Sequence, residues 1–203
     1  MRSRQHLVEV ARVERAWDTS WPGCPPVARV LRRGFSGHSV RFYTLPGGKR
    51  YATSDSEHAE ILRRHHVLLT AIFGGLGSGD ELLTAVTCSW SAASQPPPRD
   101  SAVASTTPAA VHWRSDDLST GPRFPSWQHH YVSQLDQRDP AFDQLLLCVA
   151  DDMTDDVMLF GDTGTWAYHP YDGGAEVFAP DAGARDQLAA AHADWAVPTS
   201  PAT

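Results

Sequence analysis

The sequence predicts an α+β domain with a mainly antiparallel sheet, an N-terminal helix, a central capped helix and a C-terminal helix. Three observations carry that reading. Apolar residues fall at helical spacing near the start, in the middle and at the end of the chain. Between and after these lie short strand-like runs, several separated only by Asp- and Gly-rich turns, too short for the crossovers a parallel sheet needs. The length of 203 residues is that of one domain, 1–203. A chain of this size buries roughly 70% of its unfolded surface and so needs no disulfide or metal to stay folded.

The elements follow in order. Residues 4–18 place Leu7, Val10, Ala11, Val13 and Trp17 near helical spacing, with Glu9, Arg12 and Arg15 between them, which describes an amphipathic helix. Trp21-Pro-Gly-Cys-Pro-Pro26 stops it, because prolines cannot continue a helix. Residues 27–31 and 40–45 read as strands joined through Gly34, Ser36 and Gly37 as an antiparallel pair. Ser54-Asp-Ser-Glu57 is a capping box that starts a helix running to about Phe73. Ile61, Leu62, Leu68, Leu69 and Ile72 form its buried stripe, and Gly74-Gly75 end it. Residues 81–90 read as a strand.

Residues 91–110 read SAASQPPPRDSAVASTTPAA, a composition too poor in large apolar side chains to offset its chain entropy, so a disordered insertion without core contacts is expected there. The chain resumes with His112-Trp113 and an irregular segment around Trp127. Short strands are then expected at 145–150, 157–160, 165–169 and 175–178. Alternation assigns Phe42, Leu45, Leu145, Leu147, Val149 and Trp166 to the inner face of the sheet. Asp181 caps a last helix that buries Leu188, Ala191 and Trp195.

Composition narrows the function classes. The longest apolar run falls far short of the roughly 20 residues that cross a bilayer, and the first residues are charged instead of forming a signal core, which points to the cytoplasm. Cys24, Cys88 and Cys148 are odd in number and far apart, as expected of reduced thiols. Arginine outnumbers lysine 16 to 1 and alanine occurs 26 times, a GC-rich codon bias that points to a bacterial source. The net charge is −7, unevenly placed: residues 1–70 carry 12 basic and 6 acidic groups, and residues 136–186 carry 2 basic and 12 acidic. Such an acidic half repels phosphate, so nucleic acid is not the expected partner.

Enzyme and metal signatures fail on spacing. No serine sits in a G-x-S-x-G elbow, and Gly74-Gly-Leu-Gly-Ser-Gly79 follows a helix, opposite to a phosphate loop. His65-His66 and His129-His130 are adjacent pairs whose side chains point apart. Asp151, Asp152, Asp155 and Asp156 lack the alternation and glycine of a calcium loop. The sequence therefore assigns no catalytic residue, no cofactor and no metal.

Two segments are distinctive: Arg41-Phe-Tyr-Thr-Leu-Pro-Gly-Gly-Lys-Arg-Tyr51 and Trp166-Ala-Tyr-His-Pro-Tyr-Asp-Gly-Gly-Ala-Glu-Val177. They resemble the R-F-x-x-L-P-x-x-K-R-Y and Y-x-P-Y-D-G-G-x-D-V segments of a family of small uncharacterised bacterial proteins, a domain of unknown function. Glu176 stands where that pattern has aspartate. The resemblance covers about 120 residues, leaves out the 91–110 insertion and implies no catalytic assignment.

Two functions of different class fit these residues. The first is a non-enzymatic binding protein, of the immunity or antitoxin kind, whose acidic surface neutralises a basic toxin domain. Its binding residues would be Asp151, Asp152, Asp155, Asp156 and Asp172, with His169 and Tyr171 in the same recognition loop. Arg41, Lys49 and Arg50 form a basic segment, either a solvated strand start or, through Lys49, Arg50 and Tyr51, a partner for Asp172 across the sheet. The alternative is a small enzyme that uses the His169-Pro-Tyr-Asp-Gly-Gly loop. A plain hairpin turn would also account for that loop.

Overall fold

A computed structural model describes residues 2–73, 82–121 and 123–198. The Gly74-Gly75 stop, the glycine run to Gly79 and the Leu7 side chain lie outside the described residues. The described residues form six α-helices and seven strands, in chain order α1 (Arg2–Ser20), α2 (Ala28–Gly34), β1 (Ser39–Tyr43), α3 (Asp55–Phe73), β2 (Leu82–Ser91), α4 (Ser101–Thr106), β3 (Val111–Asp117), β4 (Trp127–Asp136), α5 (Pro140–Ala150), β5 (Met158–Phe160), β6 (Ala167–Tyr171), β7 (Gly174–Phe178) and α6 (Ala182–Ala191). The strands form one sheet in the order β1-β7-β6-β5-β2-β4-β3, with every neighbouring pair antiparallel. The fold is α+β. No described helix is long and apolar enough to cross a membrane.

The sheet is the middle of three layers, which is why its central strands are apolar on both faces. One face carries Val86, Val132, Met158, Phe160, Ala167 and Phe178 against Val13, Trp17, Ala28 and Leu31 of α1 and α2. The other carries Leu83, Ala85, Leu159, Tyr168 and Val177 against α3, α5 and Leu188 of α6. Two buried tryptophans lock the first layer because their N–H groups are satisfied: Trp17 donates to the Cys24 carbonyl at 2.8 Å and Trp21 to the Gly164 carbonyl at 2.8 Å. The Ser54 cap forms at 3.3 Å to the Glu57 amide, and the Glu57 carboxylate reaches one residue further back than a capping box requires, to the Thr53 amide at 2.6 Å.

Five expectations are corrected. Residues 27–31 are not a strand: Val27, Ala28 and Leu31 are buried at helical spacing while Arg29, Arg32 and Arg33 face outward, giving α2, and β1 pairs with β7 instead. Residues 145–150 are the second half of a helix. Asp139 accepts from the Ala141 amide at 2.9 Å and Pro140 opens the first turn, so the Leu-rich run continues as α5. Leu145, Leu146 and Val149 face the core, and Leu147 is half-buried beside α4.

The third correction concerns residues 91–110, which do supply a core side chain. Asp100 caps α4 at 2.8 Å, Val103 is 2% exposed, and α4 packs on α5. Arg99 closes the segment on itself through the Thr107 hydroxyl at 2.9 Å and carbonyl at 2.8 Å, and its guanidinium lies over the Tyr131 ring of β4 at 5.3 Å. Finally, Ala191 is exposed and Trp195 lies beyond α6, half-buried under the guanidinium groups of Arg63 and Arg64. The region around Trp127, expected to be irregular, opens the ten-residue strand β4.

Candidate functional site

The turn between β6 and β7 is built from Tyr171-Asp172-Gly173-Gly174, with Tyr171 paired to Gly174 across it. Gly173 sits at φ +85°, and a Cβ there would come within 3.0 Å of the Arg50 Cα. A Cβ on Gly174 would stand 2.5 Å from both the Tyr171 hydroxyl and the Phe42 carbonyl oxygen, so the missing side chain is what lets the Tyr171 ring lie over β7. With the backbone of residue 50 passing over the turn, the Arg50 guanidinium pairs with the Asp172 carboxylate, and the Tyr51 hydroxyl donates to the same carboxylate at 3.0 Å. Residues 41–51 and 166–177 are thus clasped together, as the β1–β7 register of Arg41 opposite Glu176 also requires.

Beside this turn, the loop that follows α5 gathers carboxylates at the surface, with Asp152 and Asp155 exposed and Asp156 half-buried. Asp152, Thr154, Asp155, Asp156, His169 and Tyr171 line a small pocket of about 80 Å³. Asp152 and Asp156 adopt left-handed backbone angles, φ 58° and 51°, which short polar side chains tolerate best. Among the described residues, no ion pair engages Asp152, Asp155 or Asp156; Gln128 Nε2 donates to Asp156 at 3.0 Å. Burial, reinforced by the neighbouring Asp156 charge, pushes the Asp155 carboxyl above its usual range. His169 Nδ1 lies 2.9 Å from the Val157 carbonyl, which can only accept, so Nδ1 carries a proton.

The other predicted site residues lie elsewhere. Asp151 pairs with His58 Nε2 at 2.9 Å, which raises the His58 pKa. Lys49 is occupied by Glu57 at 2.6 Å and Thr53 at 2.9 Å, and Lys49 together with the Thr53 amide holds the Glu57 carboxyl down at about 2. Arg41 lines a separate open groove of about 810 Å³ with Arg32, Glu176 and Arg185. Glu176 is fully buried there and neutralised by the Arg32 guanidinium, whose Nε meets Oε1 at 2.8 Å. Sequence reading missed this pair, which joins residues 144 positions apart and carries no local signal.

The adjacent histidines do point apart. His65 is buried on the Tyr168 hydroxyl at 2.6 Å while His66 meets Asp143 at 2.6 Å. His129 bridges Ser91 at 2.9 Å and Ser115 at 2.7 Å, whereas His130 faces Asp116 at 3.2 Å.

A family model described as a domain of unknown function, DUF3885, matches residues 27–199, most of the chain and both clasped segments. The chain belongs to the DUF3885 family. No curated protein and no solved structure matches it. The DUF3885 match takes in the whole of the acidic loop, the pocket and the Arg32–Glu176 pair, and it begins after α1, whose Trp17 fills one side of the core.

Proposed function

We propose that this DUF3885 protein is a cytoplasmic, bacterial, non-enzymatic binding protein whose acidic loop captures a basic protein, in the manner of an immunity protein that neutralises a cognate toxin. The observation that carries the reading is the convergence of Asp152, Asp155 and Asp156, without an ion pair among the described residues, on one pocket of side-chain size. Carboxylates held close together repel one another, and a guanidinium or ammonium head inserted among them relieves that repulsion while a net charge of −7 speeds the encounter. The Arg50–Asp172 clasp fixes one wall of the pocket, so Asp172 anchors the receptor loop. The test is affinity capture from the native cell followed by a salt series on the purified pair. A basic partner whose association slows steeply with salt supports the proposal; a neutral or acidic partner, or association indifferent to salt, refutes it.

One observation favours a second reading, a small enzyme: the His169 ring, oriented by the bond from Nδ1 to the Val157 carbonyl, lines the pocket beside the carboxylates, where an imidazole can serve proton transfer. Asp172, committed to Arg50 and Tyr51, would then serve as a turn anchor and not as a partner of the histidine. Turnover of a substrate that is lost in His169→Asn while partner affinity is kept would support the enzyme; affinity lost together with pocket carboxylates supports the binding protein.

A further inference from the structure

We propose that the inner side of the acidic loop binds a divalent metal ion of the zinc class, held by Cys88 Sγ and the carboxylates of Asp155 and Asp156, with Gln128 Oε1 as the fourth donor. The three charged-type ligand atoms already lie within 4.8 Å of one another. Metal–ligand bonds of roughly 2.0–2.3 Å place neighbouring ligands of a tetrahedron about 3.3–3.8 Å apart, so rotating two aspartate side chains by about 1 Å closes the set.

The independent observation is Gln128. Its side chain is fully buried, and Nε2 donates to Asp156 Oδ2 at 3.0 Å, which fixes the amide beside the cluster. Yet Oε1 is buried with no hydrogen-bond partner among the described residues. The Cys88 thiol spends its own hydrogen bond on the Asp155 carbonyl, at 3.7 Å, and does not relieve it. A buried carbonyl oxygen with nothing to accept from is rare, and beside a thiol and two carboxylates it is what a cation would be expected to occupy.

Ligand chemistry selects the ion. Calcium and magnesium take oxygen sets and avoid sulfur, whereas a thiolate with carboxylate and carbonyl oxygens suits zinc or cobalt. On binding, the Cys88 S–H bond breaks, its proton leaves to solvent and an S–metal bond forms, so affinity rises with pH. The strands supply rigidity: Cys88 lies on β2 directly opposite His130 of β4, and Gln128 lies two residues along the same ladder. The ion and the proposed basic partner share Asp155 and Asp156, and the metal test uses no partner, so the two readings fail separately. A loaded ion would neutralise those two carboxylates and leave the exposed Asp151 and Asp152 to meet the partner.

The test uses the full chain with Co²⁺ or Zn²⁺ alone, after chelator treatment. One equivalent of Co²⁺ is expected to give a thiolate-to-cobalt charge-transfer band in the near ultraviolet, with the intense visible bands of four-coordination, and Zn²⁺ should displace it. Cys88→Ser should abolish the charge-transfer band and weaken Zn²⁺ by about 100-fold or more, and Gln128→Ala should keep the band and weaken Zn²⁺ by about tenfold. Asp155→Asn with Asp156→Asn should lose binding while the unloaded fold, followed by circular dichroism, is kept. Cobalt bound without the charge-transfer band, zinc affinity unchanged in Cys88→Ser, or no binding by the folded wild type would each overturn the site.

Discussion

The Arg50 guanidinium closes on the Asp172 carboxylate across 122 residues of chain, and the two glycines after Asp172 make that approach possible. Their contributions differ in kind. Arg50 is largely exposed, so Arg50→Ala should lower the unfolding midpoint only slightly. Gly174→Ala forces a methyl group to 2.5 Å from the Phe42 carbonyl and the Tyr171 hydroxyl, a clash that only backbone movement relieves. Urea denaturation should show a loss on the order of 2–4 kcal/mol for Gly174→Ala.

The helical assignment of α5 sets two neighbouring leucines apart. Leu146→Ala, at a fully buried position, should cost about 2–5 kcal/mol, and Leu147→Ala, half-buried, well under half of that. A strand would reverse the order, because alternation would bury Leu147 and expose Leu146. Equilibrium unfolding of the two variants side by side decides it.

Val103 brings the 91–110 segment into the core. Val103→Ala should destabilise on the order of 1–3 kcal/mol. Replacing all of 91–110 with a short Gly-Ser loop should lower the midpoint at least as much, since the Arg99 contact with the Tyr131 ring of β4 goes as well. A replacement that melts at the wild-type temperature would show that α4 contributes nothing to stability.

These cases mark where the sequence was legible. Ser54, Asp181 and the Tyr171-Asp172-Gly173-Gly174 turn announce themselves through local chemistry, and the structure puts each to that use. Leu145-Leu-Leu-Cys-Val-Ala150 is a continuous apolar run, which has no period and fits a buried helix as well as a buried strand; only Asp139-Pro140 upstream distinguishes them. Residues 27–31 misled for a different reason: five residues are too few to separate a helical from a strand period, and the spacing shows only when Arg32 and Arg33 are included. Of the candidate site, the sequence named His169, Tyr171 and the aspartates but not their meeting, because the pocket is made by two loops that only the β5–β6 pairing brings together. Gln128 and Glu176 look like ordinary polar strand residues until burial is known.

His65 should impose a pH dependence of its own. Burial holds its imidazole neutral, with a pKa lowered to about 3, below the ordinary value of 6.5. The unfolded chain then binds the proton that the folded chain refuses, so the stability this residue contributes is complete above pH 6.5 and falls as pH drops toward 3. Glu57 and Glu60, held at about 2 by Lys49 and by Arg63, add their own loss only below about pH 4.5. Between pH 6.5 and 5 the stability of wild type relative to His65→Asn should therefore decline, by at most about 1.4 kcal/mol per pH unit. A difference that stays flat over that range would mean His65 is charged in the folded protein.

The most direct test of the binding account is the association rate of the purified partner with wild type and with a variant in which Asp151, Asp152, Asp155 and Asp156 are all asparagine, across a salt series. The account predicts an unchanged fold, association slowed several-fold and a flattened salt dependence. Unaltered association kinetics in the folded variant, or a loss of thermal stability with partner affinity intact, would contradict it and return those aspartates to balancing the basic N-terminal part of the chain.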